Sequence, residues 1–245
     1  MVTQLSLTPD PWSLVEDHRF DVRLASLPEE RAAVVRLRSE VFGVDVDIDR
    51  FDEVCDHLLV RERSTGRVVG TYRMQTTRMA ARGHGLCSAT EFVTDVLPDH
   101  VRTQAAEVGR ACVHEDFRHR RVLLLLWQGL AAYLQRTGTR YLFGCCSLPT
   151  TAPLEAWQCE RYLRRIGAWH PRWFVPAAAG AVVPPVEFVA DAPVTLPSLF
   201  RSYLRFGAWV CGGPVSDLDF GTTDFFVVLD RERLTADAQA LFFRQ

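Results

Sequence analysis

The chain has 245 residues, of which 48% are apolar and 24% are charged, the composition of a globular protein with a sizeable core. Its formal net charge is −2, so overall charge gives no argument for nucleic-acid binding. No apolar run reaches the roughly 18 residues of a transmembrane helix, and no signal peptide is evident. We therefore expect a cytoplasmic protein.

The seven cysteines form no C-x-x-C pair and are odd in number. Most of them lie within apolar strand or helix patterns, which is typical of buried thiols in a reducing compartment. None of the seven histidines stands in ligand spacing with another histidine or a cysteine. The sequence therefore predicts no metal site.

The N-terminal part predicts a strand followed by a helix. Residues 1–18 are expected to be a loose leader, and the alternation from Phe20 to Ala25 predicts the first strand. The sequence Ser26-Leu27-Pro28-Glu29 predicts a capping box with an early proline, which begins a helix that ends near Phe42.

The next segment, residues 43–56, is acidic and irregular, with aspartates at positions 45, 47, 49, 52 and 56. It lacks the central glycine and final glutamate of a calcium-binding loop. Two interpretations remain: a loop of carboxylates beside a substrate amine, or a solvated loop.

A hairpin and a long loop region follow. His57 to Arg63 and Arg67 to Gln75 predict two strands around the turn at residues 64–66. Residues 76–104 show little periodicity apart from a possible short helix at 91–97, and a loop region of this size can carry specificity.

The central stretch, residues 107–148, predicts a βαβ unit. A strand at 107–113 leads through the basic turn at 117–121 into an apolar helix at 122–134, which Gly138 ends, and a second strand follows at 141–147. Such a unit is right-handed. Its turn places free backbone N–H groups and arginines at a helix N-terminus, where a phosphate group would bind.

The C-terminal part continues the alternation of helices and strands. The patterns predict a helix at 153–166, an excursion rich in Trp, Pro and Ala at 168–194, a short helix at 196–204, strands at 207–211 and 223–229, and a helix from Leu234 onward. We expect a single domain over residues 1–245. Its fold class is α/β, a mixed sheet with helices on both faces.

Six stretches, in one order along the chain, carry a family resemblance: FDEVCDHLLV (51–60), VGTYRM (69–74), EVGRACVHEDFR (107–118), LLWQGLAAYL (125–134), YLFGCCSL (141–148) and LRFGAWVCGGPVSDLDFGTTDFF (204–226). With them the chain resembles the acyltransferases that attach a 3-hydroxyacyl chain to the α-amine of ornithine, the first step of ornithine-lipid synthesis. The resemblance implies the GNAT N-acyltransferase fold with a C-terminal extension, and it implies that no cofactor is needed besides the phosphopantetheine that carries the acyl donor.

The chain is also similar to acyl-homoserine-lactone synthases, whose sparse charged pattern can be followed here. That similarity implies an amino acid site at Arg38, Phe42, Asp49, Asp52 and Arg73, and a catalytic E-x-x-R pair at Glu107 and Arg110. The aspartates would bind the ammonium group, and an arginine would bind the carboxylate. The tryptophan that usually follows the phenylalanine is missing, and the C-terminal extension is long. Both departures disfavour a lactone synthase.

The resemblance also places the acyl donor. In this fold the pantetheine arm lies between two splayed strands, so the implied donor-binding residues are Ala111, Cys112, Val113, Arg118, Arg120, Arg121 and Val122. The turn lacks the glycines of the family's usual phosphate loop, which favours acyl carrier protein over coenzyme A. Because acyl carrier proteins are acidic, we expect charge reversal at Arg120 and Arg121 to raise the KM for that partner. A solvated loop is the alternative.

Two roles remain open for Glu107. A carboxylate at a strand edge among apolar residues can act as the general base, directly or through a water. It can instead form an ion pair with Arg110 or Arg73 that holds the strands apart.

Two other functions also remain open. One is a lactone synthase or another long-chain N-acyl amino acid synthase, and the other is a non-catalytic module that binds acyl carrier protein. Since the expected product is a lipid, peripheral contact with the inner membrane surface is a further expectation.

Overall fold

The computed structural model of the protein describes residues 12–118, 120–187 and 189–242. Contacts within the described chain group its residues into two compact units. The first unit comprises residues 12–48, 56–73 and 110–133, and the second comprises residues 49–55, 74–109 and 134–242. Residues 1–11 of the predicted leader and residues 243–245 of the predicted terminal helix lie outside the described residues.

The described strands are β1 (Ser13–Glu16), β2 (Phe20–Leu24), β3 (Asp56–Glu62), β4 (Val68–Thr76), β5 (Ala105–Val113), β6 (Tyr141–Leu148), β7 (Trp209–Asp217) and β8 (Thr222–Asp230). Their order in the sheet is β1-β2-β3-β4-β5-β6-β8-β7. β5 and β6 are parallel, whereas β8 is antiparallel to both β6 and β7. The prediction of a mixed sheet is therefore confirmed.

The described helices are α1 (Pro28–Phe42), α2 (Thr77–Arg82), α3 (Asp99–Arg102), α4 (Arg120–Thr137), α5 (Pro153–Arg165), α6 (Ser198–Arg205) and α7 (Ala236–Phe242). Short 3-10 helices lie at 50–53, 87–90, 94–96, 115–117 and 231–233. Among these residues, no helix is both long enough and apolar enough to cross a bilayer.

In the first unit, two helices pack on opposite faces of the sheet. α1 contributes Val34 and Leu37 to a core cluster with Leu59 of β3. α4 packs on Leu58, since a Cβ added to its Gly129 would lie 2.8 Å from a methyl carbon of that leucine. Successive residues of a strand point to opposite faces. Leu58 and Leu59 thus place one helix on each face, as predicted.

The predicted βαβ unit is present as β5, α4 and β6. The two strands are parallel, and α4 is longer than the apolar run that predicted it. The helix is followed by Gly138, whose φ of 67° is left-handed, a conformation that glycine adopts without a steric penalty. Apolar patterning and one glycine were therefore sufficient to locate this unit.

In the second unit, adjacent phenylalanines of β8 point to opposite faces of the sheet. The ring of Phe225 lies 5.9 Å from that of Phe200 in α6. On the other face, the ring of Phe226 lies 5.3 Å from Phe143 of β6 and 5.4 Å from Phe92 in the long loop region. Irregular segments therefore cover the face that carries Phe226.

The excursion at residues 168–194 packs within this second unit. The backbone N–H of Val175 donates to the carbonyl of Cys211 at 2.7 Å, and that of Ser216 donates to Ala181 at 2.8 Å. The buried Val175 belongs to the same apolar cluster as Phe92 and Phe226. The segment is thus part of the cover over the Phe226 face.

Two local features differ from the predictions. Ser13–Glu16, within the predicted loose leader, form β1 and pair with β2. The N-cap of α1 is Leu27, not Ser26, and the cap comes from Glu30, whose carboxylate accepts hydrogen bonds from the N–H groups of Ser26 and Leu27 at 2.9 and 3.2 Å. The carboxylate of Glu30 accepts these hydrogen bonds in place of the predicted hydroxyl. Its negative charge also interacts favourably with the positive N-terminal end of the helix dipole.

β5 and β6 pair over a short length. Their register runs from Ala105↔Tyr141 to Glu107↔Phe143, and both strands continue beyond those residues. At the next position the backbones come very close, because a Cβ added to Gly144 would lie 2.2 Å from the carbonyl oxygen of Val108. Only glycine fits such an approach.

We therefore expect Gly144→Ala to lower the free energy of unfolding by about 1–3 kcal/mol, the usual effect of overpacking. Urea denaturation followed by circular dichroism measures this value. Gly109→Ala on β5 is the matched control, since its Cβ would meet no atom within 4 Å. Equal stabilities of the two variants would contradict the close approach.

Candidate active site

Glu107, the last residue of β5 that pairs with β6, has a buried carboxylate held by three donors. Its Oε2 accepts hydrogen bonds from Gln75 Nε2 at 2.7 Å and from the backbone N–H of Cys87 at 2.9 Å. Its Oε1 accepts one from the N–H of Ser88 at 2.7 Å. The 3-10 helix at 87–90 therefore presents its first N–H groups to this carboxylate, which fixes its orientation.

These contacts leave the Glu107 carboxylate with one accepting position. A carboxylate offers about four lone-pair sites, and the donors from Gln75, Cys87 and Ser88 occupy three of them. The remaining site is on Oε1. All three donors are uncharged, so they orient the carboxylate without neutralising it. The arrangement can accept a proton from a group that reaches Oε1.

Arg110 lies in the first unit, where it and Arg38 share one carboxylate. Arg38 Nε lies 2.6 Å from Asp47 Oδ2, and Arg110 Nε lies 3.3 Å from Asp47 Oδ1. Arg38 is fully buried and Asp47 is 6% exposed. A buried carboxylate between two guanidiniums is well compensated electrostatically. The family resemblance implied both arginines as site residues, whereas Asp47 was named only among the carboxylates of the acidic segment.

The backbone of Arg110 is unusual. Its φ is 49°, the only positive value among non-glycine residues of the described chain. A β-strand residue in the left-handed region costs about 1–3 kcal/mol and persists only where the surroundings hold it. The ion pair with Asp47 is one such restraint, so β5 is locally distorted at the second member of the predicted E-x-x-R pair.

The structure also places the other predicted amino acid-binding residues. Phe42, at the end of α1, packs against the core cluster of the first unit. Arg73 of β4 is buried. Asp49 caps the 3-10 helix at 50–53 by accepting from the N–H of Phe51 at 2.9 Å, and Asp52 accepts from the N–H of Asp49 at 2.9 Å. The two aspartates therefore form a capping box, which neither loop interpretation anticipated.

The predicted donor-binding residues lie in the first unit. On β5, Ala111 and Val113 are half-buried and Cys112 is buried, and burial raises the pKa of its thiol to about 12. Arg118 is exposed and donates from Nε to the carbonyl of Val113 at 3.3 Å. At the start of α4, Val122 is buried. The side chain of Arg120 lies outside the described part.

Arg121, also predicted to bind the donor, has a partner. Its guanidinium forms an ion pair with Asp17, a residue with a fully buried carboxylate. Desolvation would raise the pKa of Asp17, yet the pKa is lowered because Arg121 and the N–H groups of Arg19 and Phe20 outweigh it together. Arg121 thus contributes to the structure of the first unit, independently of any donor.

A second acidic cluster, which no pattern in the sequence predicted, lies in the second unit. One ligand atom from each of Glu91, Cys145 and Asp224 lies within 4.8 Å of the others. Burial, together with the charges of Asp224 and Asp217, raises the pKa of Glu91 to about 8. Burial likewise raises the pKa values of Asp224 and Cys145. A set of two carboxyl groups and one thiol could hold an ammonium group or a divalent cation.

Three residues of these sites were missed by sequence reasoning: Gln75, Glu91 and Asp224. Gln75 ends a predicted strand, one residue after the stretch VGTYRM, and Asp224 lies in the stretch DFGTTDFF, which carried the resemblance. Their side-chain partners come from distant segments, which no local pattern reveals.

Comparison with known proteins gives consistent results. Residues 34–128 match the family model of the acetyltransferase (GNAT) domain. The L-ornithine N(alpha)-acyltransferase of Brucella abortus (strain 2308) is 32% identical over 242 residues, 89% of this chain and 86% of that protein. The protein of that name from Rhizobium meliloti (strain 1021) is 36% identical over 235 residues, 86% of this chain and 79% of that protein.

Among solved structures, FeeM, an N-acyl amino acid synthase from uncultured soil microbes, superposes with a TM-score of 0.54 at 13% identity, covering 90% of this chain and 97% of that chain. At this identity the match supports the fold alone. Together with the family model, it confirms the predicted GNAT fold.

Proposed function

Because the chain belongs to the family of L-ornithine N(alpha)-acyltransferases, we propose that it transfers a 3-hydroxy fatty acyl group from acyl carrier protein to the α-amine of ornithine, giving a lyso-ornithine lipid. The family fixes the reaction class as acyl transfer to an amine. The 3-hydroxyacyl chain, the carrier protein and ornithine itself are parts of the proposal.

In this reaction Glu107 is the general base. It takes a proton from the α-ammonium group of the acceptor, directly or through a water, and the freed amine attacks the thioester carbonyl carbon. The negative charge that develops on the carbonyl oxygen would be stabilised by backbone N–H groups of Ala111 to Val113. The C–S bond then breaks, and the pantetheine sulfur leaves and takes up a proton. The chemistry needs no metal, and the donor brings its own phosphopantetheine.

One observation carries this assignment. Glu107 is buried, oriented by three uncharged donors, and retains one accepting position on Oε1 at the residue where the β5–β6 pairing ends. If Glu107 served only as an ion-pair partner between strands, its contacts would be charged, whereas they are an amide and two backbone groups.

The amino acid substrate has its own proposed partners. Arg38 and Arg73 are proposed to bind its carboxylate, Asp49 and Asp52 are proposed to bind its ammonium group, and Phe42 is proposed to lie beside them. Arg110, paired with Asp47, is proposed to shape β5.

The test is incubation of the purified protein with 3-hydroxyacyl carrier protein and a panel of amino acids, with products identified by mass spectrometry. We expect an N-acyl ornithine. An acyl-homoserine lactone or a different N-acyl amino acid would replace the proposal with a related synthase. Binding of the carrier protein without any product would indicate a non-catalytic module.

On the donor side, we propose that Arg118, Arg120 and Arg121 dock acyl carrier protein, with Val122, Cys112 and their neighbours along the pantetheine arm. We expect Arg118→Glu to raise the KM for acyl carrier protein roughly 3- to 10-fold at low salt, because the substitution reverses a charge on the proposed docking surface. The kcat should change little, since this exposed arginine donates to the backbone carbonyl of Val113 and its loss leaves no buried charge unpaired. Steady-state kinetics at two salt concentrations measures the effect.

The matched control is Arg36→Glu, the same charge reversal at an exposed position of α1. Arg121→Glu is a poorer probe, because it would leave Asp17 buried without its partner. An unchanged KM for Arg118→Glu at low salt would remove the docking surface from the proposal.

We also propose peripheral contact with the membrane surface that receives the lipid product. Val44, Val46 and Ile48 lie exposed on the loop after α1, the last two at 62% each. Apolar side chains exposed together on one loop are suited to contact with acyl chains.

A further inference from the structure

The second acidic cluster shares a face of the sheet with Glu107. Residues paired across neighbouring strands point to the same side, as do residues two apart in one strand. Glu107 pairs with Phe143 of β6, and Cys145 follows two residues later. Ser147, two residues beyond Cys145, pairs with Asp224 of β8. The register therefore puts Glu107, Cys145 and Asp224 on one face of the second unit.

Glu91 reaches that face from the segment that also holds Glu107. It directly follows the 3-10 helix at 87–90, whose N–H groups bind the Glu107 carboxylate. Residues three apart in a 3-10 helix are eclipsed, so the side chains of Ser88 and Glu91 lie on the same side. The backbone of Glu91 is also held in place, because its carbonyl accepts a hydrogen bond from the N–H of Ala178 at 2.7 Å.

Within the described part of the chain, hydrogen bonds and not cations are the favourable contacts of this cluster: Glu91 and Asp224 are hydrogen-bonded to each other, and Thr222 Oγ1 donates to Asp224 Oδ1 at 3.0 Å. The charged groups that shift the pKa of Glu91, Asp224 and Cys145 are all acidic or thiol groups, including Asp217 and Glu107. Arginines accompany two other buried carboxylates, Asp47 and Asp17. A pair of carboxyl groups without a counter-ion is costly to ionise in the folded state and is suited to receive a cation.

Unpartnered buried oxygens mark the place where such a cation would bind. Among the described residues, Ser88 Oγ, Gln75 Oε1 and Glu91 Oε2 are buried and accept or donate no hydrogen bond. Ser88 is 3% exposed and Gln75 is 1% exposed. Buried polar atoms normally have partners. These three oxygens belong to residues that hold Glu107 or form the acidic cluster, and each is able to accept a hydrogen bond from a ligand.

We propose that Glu91 and Asp224 bind the side-chain ammonium group of a diamino acid acceptor. An ammonium offers three donors and one positive charge, which would satisfy Glu91 Oε2, Asp224 and the Ser88 hydroxyl together. The inference rests on the proposed function, in which Glu107 serves the α-amine.

This site would make the enzyme specific for diamino acids. A site that pairs buried carboxylates with a substrate ammonium strongly rejects the analogue that lacks it, because the carboxylates stay unpaired. Norvaline is that analogue of ornithine, with a methyl group in place of the terminal aminomethyl group. The specificity is thus measurable as the ratio of kcat/KM for ornithine to kcat/KM for norvaline.

The experiment compares this ratio in the wild type, Glu91→Gln, Asp224→Asn and Ser88→Ala, with the same acyl carrier protein donor. We expect it to fall roughly 30-fold in Glu91→Gln and Asp224→Asn, the usual range for a lost charged hydrogen bond, and less in Ser88→Ala. The loss should lie in kcat/KM for ornithine, with that for norvaline preserved. Glu155→Gln, an exposed carboxylate of α5, is the control for loss of charge and should keep the wild-type ratio.

Two results would overturn the proposal: a ratio unchanged in both carboxylate variants, or specific Zn²⁺ binding that is lost in Glu91→Gln and on which activity depends. Calorimetric titration of ornithine and norvaline onto the intact protein gives a readout independent of turnover, and a variant that fails to fold is replaced by Ser88→Ala in the comparison. A wild type that acylates no amino acid would instead refute the proposed function.

Discussion

Replacement of Glu107 by glutamine is expected to lower kcat roughly 10²- to 10⁴-fold, the range in which a general base contributes. Glutamine keeps the shape of the side chain but cannot take the proton of the α-ammonium group. The rate of the variant should therefore rise with pH as the free amine becomes available in solution, without the plateau that an enzymic base produces. Single-turnover kinetics with acyl carrier protein at several pH values measures both effects.

The structure shows that this substitution also disturbs hydrogen bonding. Both oxygens of Glu107 face N–H donors, so the new amide group must point either at Ser88 N–H or at both Cys87 N–H and the Gln75 amide, and the first orientation leaves one donor unsatisfied. The cost of one unsatisfied buried donor is about 1–3 kcal/mol. Reduced stability of Glu107→Gln alone is therefore no evidence that Glu107 serves as an ion-pair partner that holds the strands apart.

Thr71→Val on β4 supplies the matched stability control. The hydroxyl of the buried Thr71 donates to the carbonyl of Leu58 at 2.7 Å, so its loss also leaves one buried group unsatisfied. This variant should be destabilised similarly and keep its pH–rate profile. A Glu107→Gln enzyme that retains wild-type kcat, or that loses no more activity than Thr71→Val, would rule out the base.

Replacement of Glu91 by glutamine is expected to stabilise the protein at alkaline pH, by on the order of 3–5 kcal/mol at pH 9. Burial and the charges of Asp224 and Asp217 raise the pKa of Glu91 from 4.5 to about 8. The variant removes a carboxyl group that is unfavourable to ionise in the folded state. Its free energy of unfolding should match that of the wild type within about 1 kcal/mol at pH 5.

The direction follows from proton binding to the two states. Below pH 4.5 the carboxyl group is protonated whether the chain is folded or unfolded, so the raised pKa has no consequence there. As the pH rises from 4.5 to about 8, the unfolded chain loses this proton while the folded chain keeps it, and stability falls. Above about pH 8 both states are ionised and the loss is complete. Asp224 and Cys145, which face Glu91, contribute in the same sense because burial raises their pKa values too.

Urea denaturation at pH 5, 7 and 9 measures the difference. Glu155→Gln should follow the wild-type curve at every pH. Parallel pH dependence in Glu91→Gln and the wild type would show that Glu91 is not ionised at a cost, and it would weaken the ammonium site as well. Higher stability combined with lower specificity for ornithine is the signature of a residue retained for binding at the expense of folding.

The sequence by itself determined the elements whose cause is local. The apolar run before Gly138 located α4, the alternation around Ala111 and Tyr141 located the parallel pair, and the turn at Gly66 located the hairpin. These follow from backbone geometry and side-chain period, which depend on near neighbours in the chain. The six stretches that resemble the acyltransferase family predicted the fold and the reaction class, since they follow one another in the family's order over most of the chain.

Which groups meet was decided by the tertiary structure alone. Insertion of β8 between β6 and β7 brought Asp224 to Cys145, and the 3-10 helix at 87–90 brought two N–H groups to Glu107 and Glu91 to Asp224. Arg38 and Asp47 likewise form a buried ion pair, which their spacing in the sequence does not predict. Burial, hydrogen bonding and the ionisation of a carboxyl group depend on partners supplied by distant segments, so they are properties of the folded chain and not of any local pattern.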